Sequence, residues 1–229
     1  MVRERRPRRR RLSGPGAGGE PPEPQKPIDY DPLGRLVGGP GHPRPWEIRV
    51  KMPDPAKLKI VTYPDSRLRR SCQPVEVFDE RLAAVAARML KLMHESNGIG
   101  LAAPQVGLPF RFFVCNITGQ PGDDRVYVNP EIDEAEGLAA MEEGCLSLPD
   151  VRVTVRRPLG CVIRAQDLGG RSFEEAGEGL LARCWQHETD HLDGRLIVDY
   201  MSEADKIANR RVLRQLEAEH KAARPAKAR

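Results

Sequence analysis

Long apolar runs are missing from this 229-residue chain: none approaches the roughly 18 residues that a membrane span requires. The first residues also lack the apolar stretch of a secretory leader. Cysteines number five (Cys72, Cys115, Cys145, Cys161, Cys184), an odd count with no regular spacing, so a disulfide framework is not expected. Hydrophobic residues reach only 39%, which is low for a compact globule and fits a chain with some of its length outside the core. No segment repeats another. A membrane span, a disulfide-stapled scaffold and a solenoid are thereby excluded. A soluble protein with one well-cored domain plus tails is expected, in the reducing cytoplasm, with no membrane partner.

A net charge of +4 conceals an uneven distribution. Residues 1–11 hold seven arginines and one glutamate, and residues 206–229 hold eight Lys/Arg and two Glu. Each end therefore carries about +6, which leaves about −8 for the stretch between them. The acidic middle argues against DNA binding by the domain itself, whereas the basic ends suit either plain solvation or contact with a polyanion such as RNA. Residues 1–55 are rich in Arg, Pro and Gly without periodicity, and read as a disordered extension. An arginine-rich start resembles an organelle transit peptide, but serine is scarce. Met52, just before the ordered sequence, is an alternative start.

From Leu58 the pattern changes. "KLKIVTYPD" reads as a short strand entering a turn. "DERLAAVAARMLKLMHESNG" puts Leu82, Val85, Ala86, Met89 and Met93 on one helical face, and Asn97-Gly98 ends the helix. "FRFFVCNI", "RVYVNPEI", "VRVTVRR" and "GCVIRAQD" have the β-branched and aromatic content of strands, and Gly169-Gly170 turns the last back through "RSFEEA". A second helix is predicted from Glu178 to Leu192, stopping at Gly194. A third starts at Ser202 with Asp205 in a capping-box arrangement and fades near Pro225. Helix, strands, then helix favours an α+β domain over alternating βαβ units.

The strongest local signal is "QHETDHLDG", Gln186 to Gly194. His187 and His191 stand four apart, so on a helix both imidazoles project from one side. That suits two ligands of a divalent metal, with Glu188 within reach of a water there. The same pattern also arises in helices whose histidines only satisfy hydrogen bonds. No HxxGxxH follows, and neither Glu203 nor Glu217 has a recognisable setting for a third protease-type ligand. Upstream, however, "EEGCLSLPD" places Cys145 between Gly144 and Leu146. A thiolate with two imidazoles and an open position makes a catalytic site, although alone Cys145 reads equally as a small buried hydrophobe. A third segment, "NGIGLAAPQVG" from Asn97 to Gly107, lets a backbone approach a ligand, and it lacks the lysine of a phosphate loop.

Taken together, "GIGLAAPQ", "EGCLS" and "QHETDHLDG", in that order and at these separations, resemble the three signature motifs of peptide deformylases. The resemblance covers about Leu58 to Ser202, the last helix being a looser match and residues 1–55 lying outside it. It implies a catalytic domain over residues 56–202, with a basic helix and tail over 203–229, and mixed or antiparallel strands packed around the central helix that bears the HExxH sequence. It implies Cys145, His187 and His191 as metal ligands and Glu188 as general acid and base. The Gln105 amide and the Leu146 backbone N–H would face the developing oxyanion.

The resemblance also implies a substrate site. The backbone of Ile99 and Gly100 would pair with the peptide, Gly144 would lie beside it, and Arg152 would orient it. Leu181 and Cys184 would line the methionine pocket. Gln186 and Asp190 flank the ligands, and Asp190 is a candidate for holding a histidine ring, against plain helix-surface polarity. Fe²⁺ is the implied metal, with Zn²⁺, Ni²⁺ or Co²⁺ able to substitute. The reaction would be hydrolysis of N-formylmethionyl nascent peptides to formate and a free methionyl end, with ribosome contact through the basic C-terminal helix. Two competing readings share parts of this pattern. An HExxH endopeptidase leaves Cys145 without a role, and a binding protein that merely kept the fold leaves Glu188 without one.

Overall fold

A computed structural model describes residues 53–223, apart from the side chain of Glu134. The disordered extension, the Met52 start and the fading of the last helix near Pro225 lie outside the described residues. The first helix, α1 (Glu80–Glu95), is capped by Asp79, whose carboxylate accepts from the N–H groups of Arg81 and Leu82. Its buried face holds the five expected residues and also Leu92. At its far end Gly98 N–H donates to Met93 O and Asn97 N–H to His94 O, with Asn97 left-handed at φ 54°. This double bond pattern closes the helix and aims the chain into the next strand.

Seven strands follow: β1 (Gly100–Ala102), β2 (Phe112–Cys115), β3 (Arg125–Glu136), β4 (Ala139–Cys145), β5 (Leu148–Arg157), β6 (Gly160–Gln166) and β7 (Ser172–Glu178). Five form an antiparallel sheet in the order β1-β2-β3-β6-β7, and β4 and β5 form a separate antiparallel hairpin. Then come α2 (Gly179–Leu192), ended at the left-handed Gly194, and α3 (Glu203–Ala223). Ser202 and Asp205 cap α3 reciprocally, each side chain accepting from the other's backbone N–H. The described residues form a mixed α+β architecture with antiparallel sheets and three α-helices.

Two segments differ from expectation. "KLKIVTYPD" forms no strand: Val61 N–H donates to Gln105 O (2.7 Å) and Tyr63 N–H to Ser147 O (2.8 Å), single bonds to two different partners rather than a ladder. Conversely, β1 and β4 carry no strand signal in the sequence, because Gly-Leu-Ala and Ala-Ala-Met-Glu-Glu-Gly-Cys contain no β-branched or aromatic residue. Three apolar clusters hold the parts together. One lies between α1 and β2, and a second surrounds Trp185 of α2. A third joins the β4–β5 hairpin to α3 through Cys145, Val153 and Leu216. In consequence α2 packs against β1, β2, β3, β6 and β7. Trp185 is fully buried with its ring 5.5 Å from that of Tyr127, which fixes the rotation of α2 and the direction of its polar face.

Candidate metal centre

Rotation of α2 about the buried Trp185 turns His187, Glu188 and His191 towards the end of β4. The two imidazole rings stand one turn apart, 5.1 Å between centroids. Cys145, the last residue of β4, brings its Sγ to 3.3 Å from His191 Nε2. The donor atoms of Cys145, His187 and His191 all lie within 4.8 Å of one another. Donors of a tetrahedral ion, each about 2.0–2.3 Å from it, stand about 3.5 Å apart, so the set fits one ion with small side-chain adjustment.

Protonation favours the same use. His187 Nδ1 lies 3.0 Å from Glu143 Oε2, which leaves Nε2 available as a ligand. Burial opposes charge on His187, but hydrogen bonds to Cys145 and Glu143 outweigh it and raise its pKa well above the usual histidine range. A bound cation would take the place of that proton. His191 is held well below its usual range by burial and by neighbouring His187 and Arg157, so its imidazole is neutral with a lone pair to give. Its Nδ1 is buried without a hydrogen-bond partner among the described residues.

Glu188 sits beside the donors and is itself 4% exposed. Burial, more than any neighbour, pushes its carboxyl up to about 7, and its Oε2 has no partner among the described residues. A carboxyl poised near neutral pH in a cavity suits proton transfer. Glu188 can come this close to the chain only because residue 100 is glycine: a Cβ there would overlap Glu188 Oε1 and stand 2.8 Å from Cys184 Sγ. Gln105, in the turn after β1, accepts from Ala102 N–H on Oε1 (2.7 Å). This fixes its amide so that Nε2 faces Cys145 Sγ at 3.5 Å and Ser147 Oγ at 3.3 Å.

A cavity of about 600 Å³ opens beside these groups. Of the twelve expected site residues, all but His191 and Leu181 line it. His191 is buried behind the wall, and Leu181 packs against the second apolar cluster. Leu180 and Arg183 line the cavity from α2 instead. Helix period explains the exchange, since residue 180 stands one turn before 184 and two turns before 187 on the same face, whereas residue 181 is rotated about 100° further round the helix. Leu146 lies in the tight turn between β4 and β5 and packs over Gly98. Arg152 is exposed, with its guanidinium lying over Gly144.

Beneath the donors lies a buried ionic network that the sequence reading missed. Glu143 accepts from Arg157 Nε (2.7 Å) and Nη2 (3.1 Å), and from Arg183 Nη1 (2.6 Å), besides its contact with His187. Arg157 Nη1 also donates to Asp190 Oδ2 at 2.8 Å, and Tyr200 OH donates to the same oxygen at 2.9 Å. Asp190 therefore anchors Arg157, and the carboxylate that holds a histidine ring is Glu143. Gln186 donates to Pro158 O and Ala182 O, tying α2 to the β5–β6 turn. Strand period was the available signal for Glu143, because residues 143 and 145 of one strand share a face.

A family model described as polypeptide deformylase matches residues 57–207. The peptide deformylase of Hahella chejuensis is 42% identical over 167 residues, which cover 72% of this chain and 98% of that protein. That of Pseudomonas aeruginosa is also 42% identical, with the same coverage. Among solved structures, the peptide deformylase of Plasmodium falciparum superimposes with a TM-score of 0.71 at 38% identity, covering 73% of this chain and 100% of that one. A peptide deformylase from Legionella pneumophila gives a TM-score of 0.67 at 43% identity, covering 73% and 99%.

Proposed function

Given that the chain belongs to the polypeptide deformylase family, we propose how its residues divide the work of the reaction. It is a hydrolase that removes the N-formyl group from nascent polypeptides and releases formate. Cys145, His187 and His191 hold the metal. A divalent ion there supplies the Lewis acidity that makes water nucleophilic near neutral pH. Glu188 takes the proton of the attacking water and passes it to the departing amine, which leaves poorly unless protonated. Burial that raises its carboxyl to about 7 supports both halves of that task.

The Gln105 amide and the Leu146 N–H donate to the oxygen that becomes negative, each contributing up to about 2.7–4 kcal/mol by comparison with other oxyanion holes. The Ile99–Gly100 backbone receives the peptide as an added strand, with Gly144 opposite and Arg152 above it. Cys184 and Leu180 face the methionine side chain. The HExxH stretch of α2 thus forms the centre of a catalytic unit over residues 56–202, with 203–229 as a basic helix and tail and 1–55 as an extension.

Iron is our choice of metal, since a thiolate with two imidazoles accepts several divalent ions and the family resemblance points to Fe²⁺. An Fe²⁺ site beside Cys145 is open to oxidation, so anaerobic purification should preserve turnover; equal activity after aerobic handling would count against iron. All five cysteines are free, which supports a reducing cytoplasm. Contact with the ribosome through the basic face of α3 completes the reading.

Its carrying observation is the convergence of three metal donors beside one buried carboxylate at a cavity, with Oε2 of that carboxylate unpartnered among the described residues. Replacing Cys145 by serine tests it: metal content and formate release should both fall. An endopeptidase reading instead predicts that Cys145→Ser keeps its metal and cleaves casein.

A further inference from the structure

The buried network beneath the metal donors is a closed circuit that begins and ends on α2. It leaves the helix at Asp190, whose Oδ2 accepts from Arg157 Nη1 at 2.8 Å. Arg157, the last residue of β5, carries it to Glu143 of β4 through Nε (2.7 Å) and Nη2 (3.1 Å). Glu143 Oε2 returns it to α2 by its 3.0 Å contact with His187 Nδ1. His187 and Asp190 are neighbours one turn apart on a single helix, so each link limits the freedom of the others. One oxygen, Glu143 Oε2, meets both Arg157 Nη2 and His187 Nδ1. A tilt of the guanidinium therefore moves the group that aims the His187 ring.

Tyr200 braces this circuit from outside, at two points. Its OH donates to Asp190 Oδ2 at 2.9 Å, the oxygen that also holds Arg157. Its ring lies against the Arg157 guanidinium, with Cζ 5.3 Å from the ring centroid, within the range of a cation–π contact. Burial and the charge of Asp190 raise the hydroxyl above its usual pKa, which keeps it a donor. The backbone fixes where the ring stands. Leu196 and Ile197 are buried, and Asp199 Oδ2 accepts from Leu196 N–H at 2.9 Å to close the short 3-10 turn Ile197–Tyr200. Tyr200 stands outside the active-site cavity, in the wall of a second cavity of about 600 Å³ that it shares with Arg157 and Asp190.

We infer that Tyr200 is a positioning residue for the metal ligand His187, acting through Asp190, Arg157 and Glu143. The inference rests on the reading that Cys145, His187 and His191 hold the metal. Nε2 of His187 points at an ion only while Nδ1 is held, and partners that hold a ligating ring directly are worth about 10–100-fold in metal affinity. Tyr200 acts through intermediaries, so its share is smaller. A hydroxyl that served the fold alone would change stability and leave metal affinity where it was.

The test measures zinc affinity of the full chain by competition with a chelator, on wild type, Tyr200→Phe and Tyr200→Leu. Tyr63→Phe is the control, since Tyr63 OH also donates to a carboxylate, that of Glu217 at 3.2 Å, away from the circuit. Tyr200→Phe, which keeps the ring, should weaken zinc binding about threefold to tenfold, and Tyr200→Leu, which loses both contacts, should weaken it further. Tyr63→Phe should bind as wild type does. With metal saturating, KM for the tripeptide formyl-Met-Ala-Ser should be the same in Tyr200→Phe as in wild type, because the residue lies outside the substrate cavity. Tyr200→Phe removes one atom at a half-buried position, so it keeps the test open if Tyr200→Leu misfolds. Unchanged zinc affinity in Tyr200→Phe and Tyr200→Leu would overturn the inference, as would an equal loss in Tyr63→Phe. Cys145→Ser reports separately on the underlying reading: zinc bound there as tightly as in wild type would remove the metal site itself, whatever the Tyr200 variants do.

Discussion

Glu143 accepts four hydrogen bonds in a place where it is 7% exposed, from two arginines and the ring of a proposed metal ligand. Burial alone would raise its carboxyl. The hydrogen bonds from His187 and Arg157, with the charge of Arg157, win and hold it at about 2. A depressed carboxyl contributes stability that is complete above the unfolded value near 4.3 and is lost as pH falls towards 2. Replacing Glu143 by glutamine should therefore cost about 3–5 kcal/mol at neutral pH, by stranding buried arginine charge, and should narrow its gap from wild type below pH 4. Urea unfolding at pH 7 and pH 3 measures both values, and an equal gap at the two would contradict the assignment. Gly100 offers a second test. A methyl group there would displace Glu188, so Gly100→Ala should lower kcat/KM by about a hundredfold with an unchanged circular dichroism spectrum. At this scale the sequence exposed the donors, because HExxH and a lone cysteine are local patterns. Glu143, Arg157 and Arg183 act only where two strands and a helix meet, and no short window contains that meeting.

Element by element, the helices were legible and two of the strands were not. Apolar residues recurring at helical spacing located α1 to within one or two residues, the stretch from Glu178 to Leu192 before Gly194 matched α2 as closely, and Ser202 with Asp205 located the start of α3. β1 and β4 were invisible because their residues have poor strand propensity. Pairing with β2 and β5 makes them strands all the same. These two are the strands that carry the site, since close approach of backbone to ligand selects glycine and alanine over bulky residues. The junction of α1 with β1 depends on left-handed Asn97. Asn97→Gly should be neutral or slightly stabilising, whereas Asn97→Val should cost about 1–2 kcal/mol and raise KM by shifting Ile99. Denaturant unfolding with steady-state kinetics checks this, and an undisturbed valine variant would show that the turn does not position the strand.

The whole molecule pairs an acidic middle with basic ends, and one of those ends is built into the described structure. Arg210, Arg211 and Arg214 are exposed on α3, while Asn209 and Leu216 on its other face are buried. Asn209 is bound to both the N–H and the C=O of Arg152, so α3 is docked and not a loose tail. Changing the three arginines to glutamate should abolish salt-sensitive ribosome association while leaving tripeptide turnover intact. Unchanged binding at low salt would remove the ribosome from the account. Overall chemistry was readable because three motifs, far apart in sequence, have to converge for any one of them to make sense. In the proposed reaction Glu188 moves the proton of a metal-dependent deformylation. Its most direct test is formate release from formyl-Met-Ala-Ser by anaerobically purified wild type and Glu188→Gln, with metal content measured in both. A loss of about a hundredfold or more in the variant, with metal retained, is the predicted result. Turnover that survives in a fully metallated Glu188→Gln protein would contradict it.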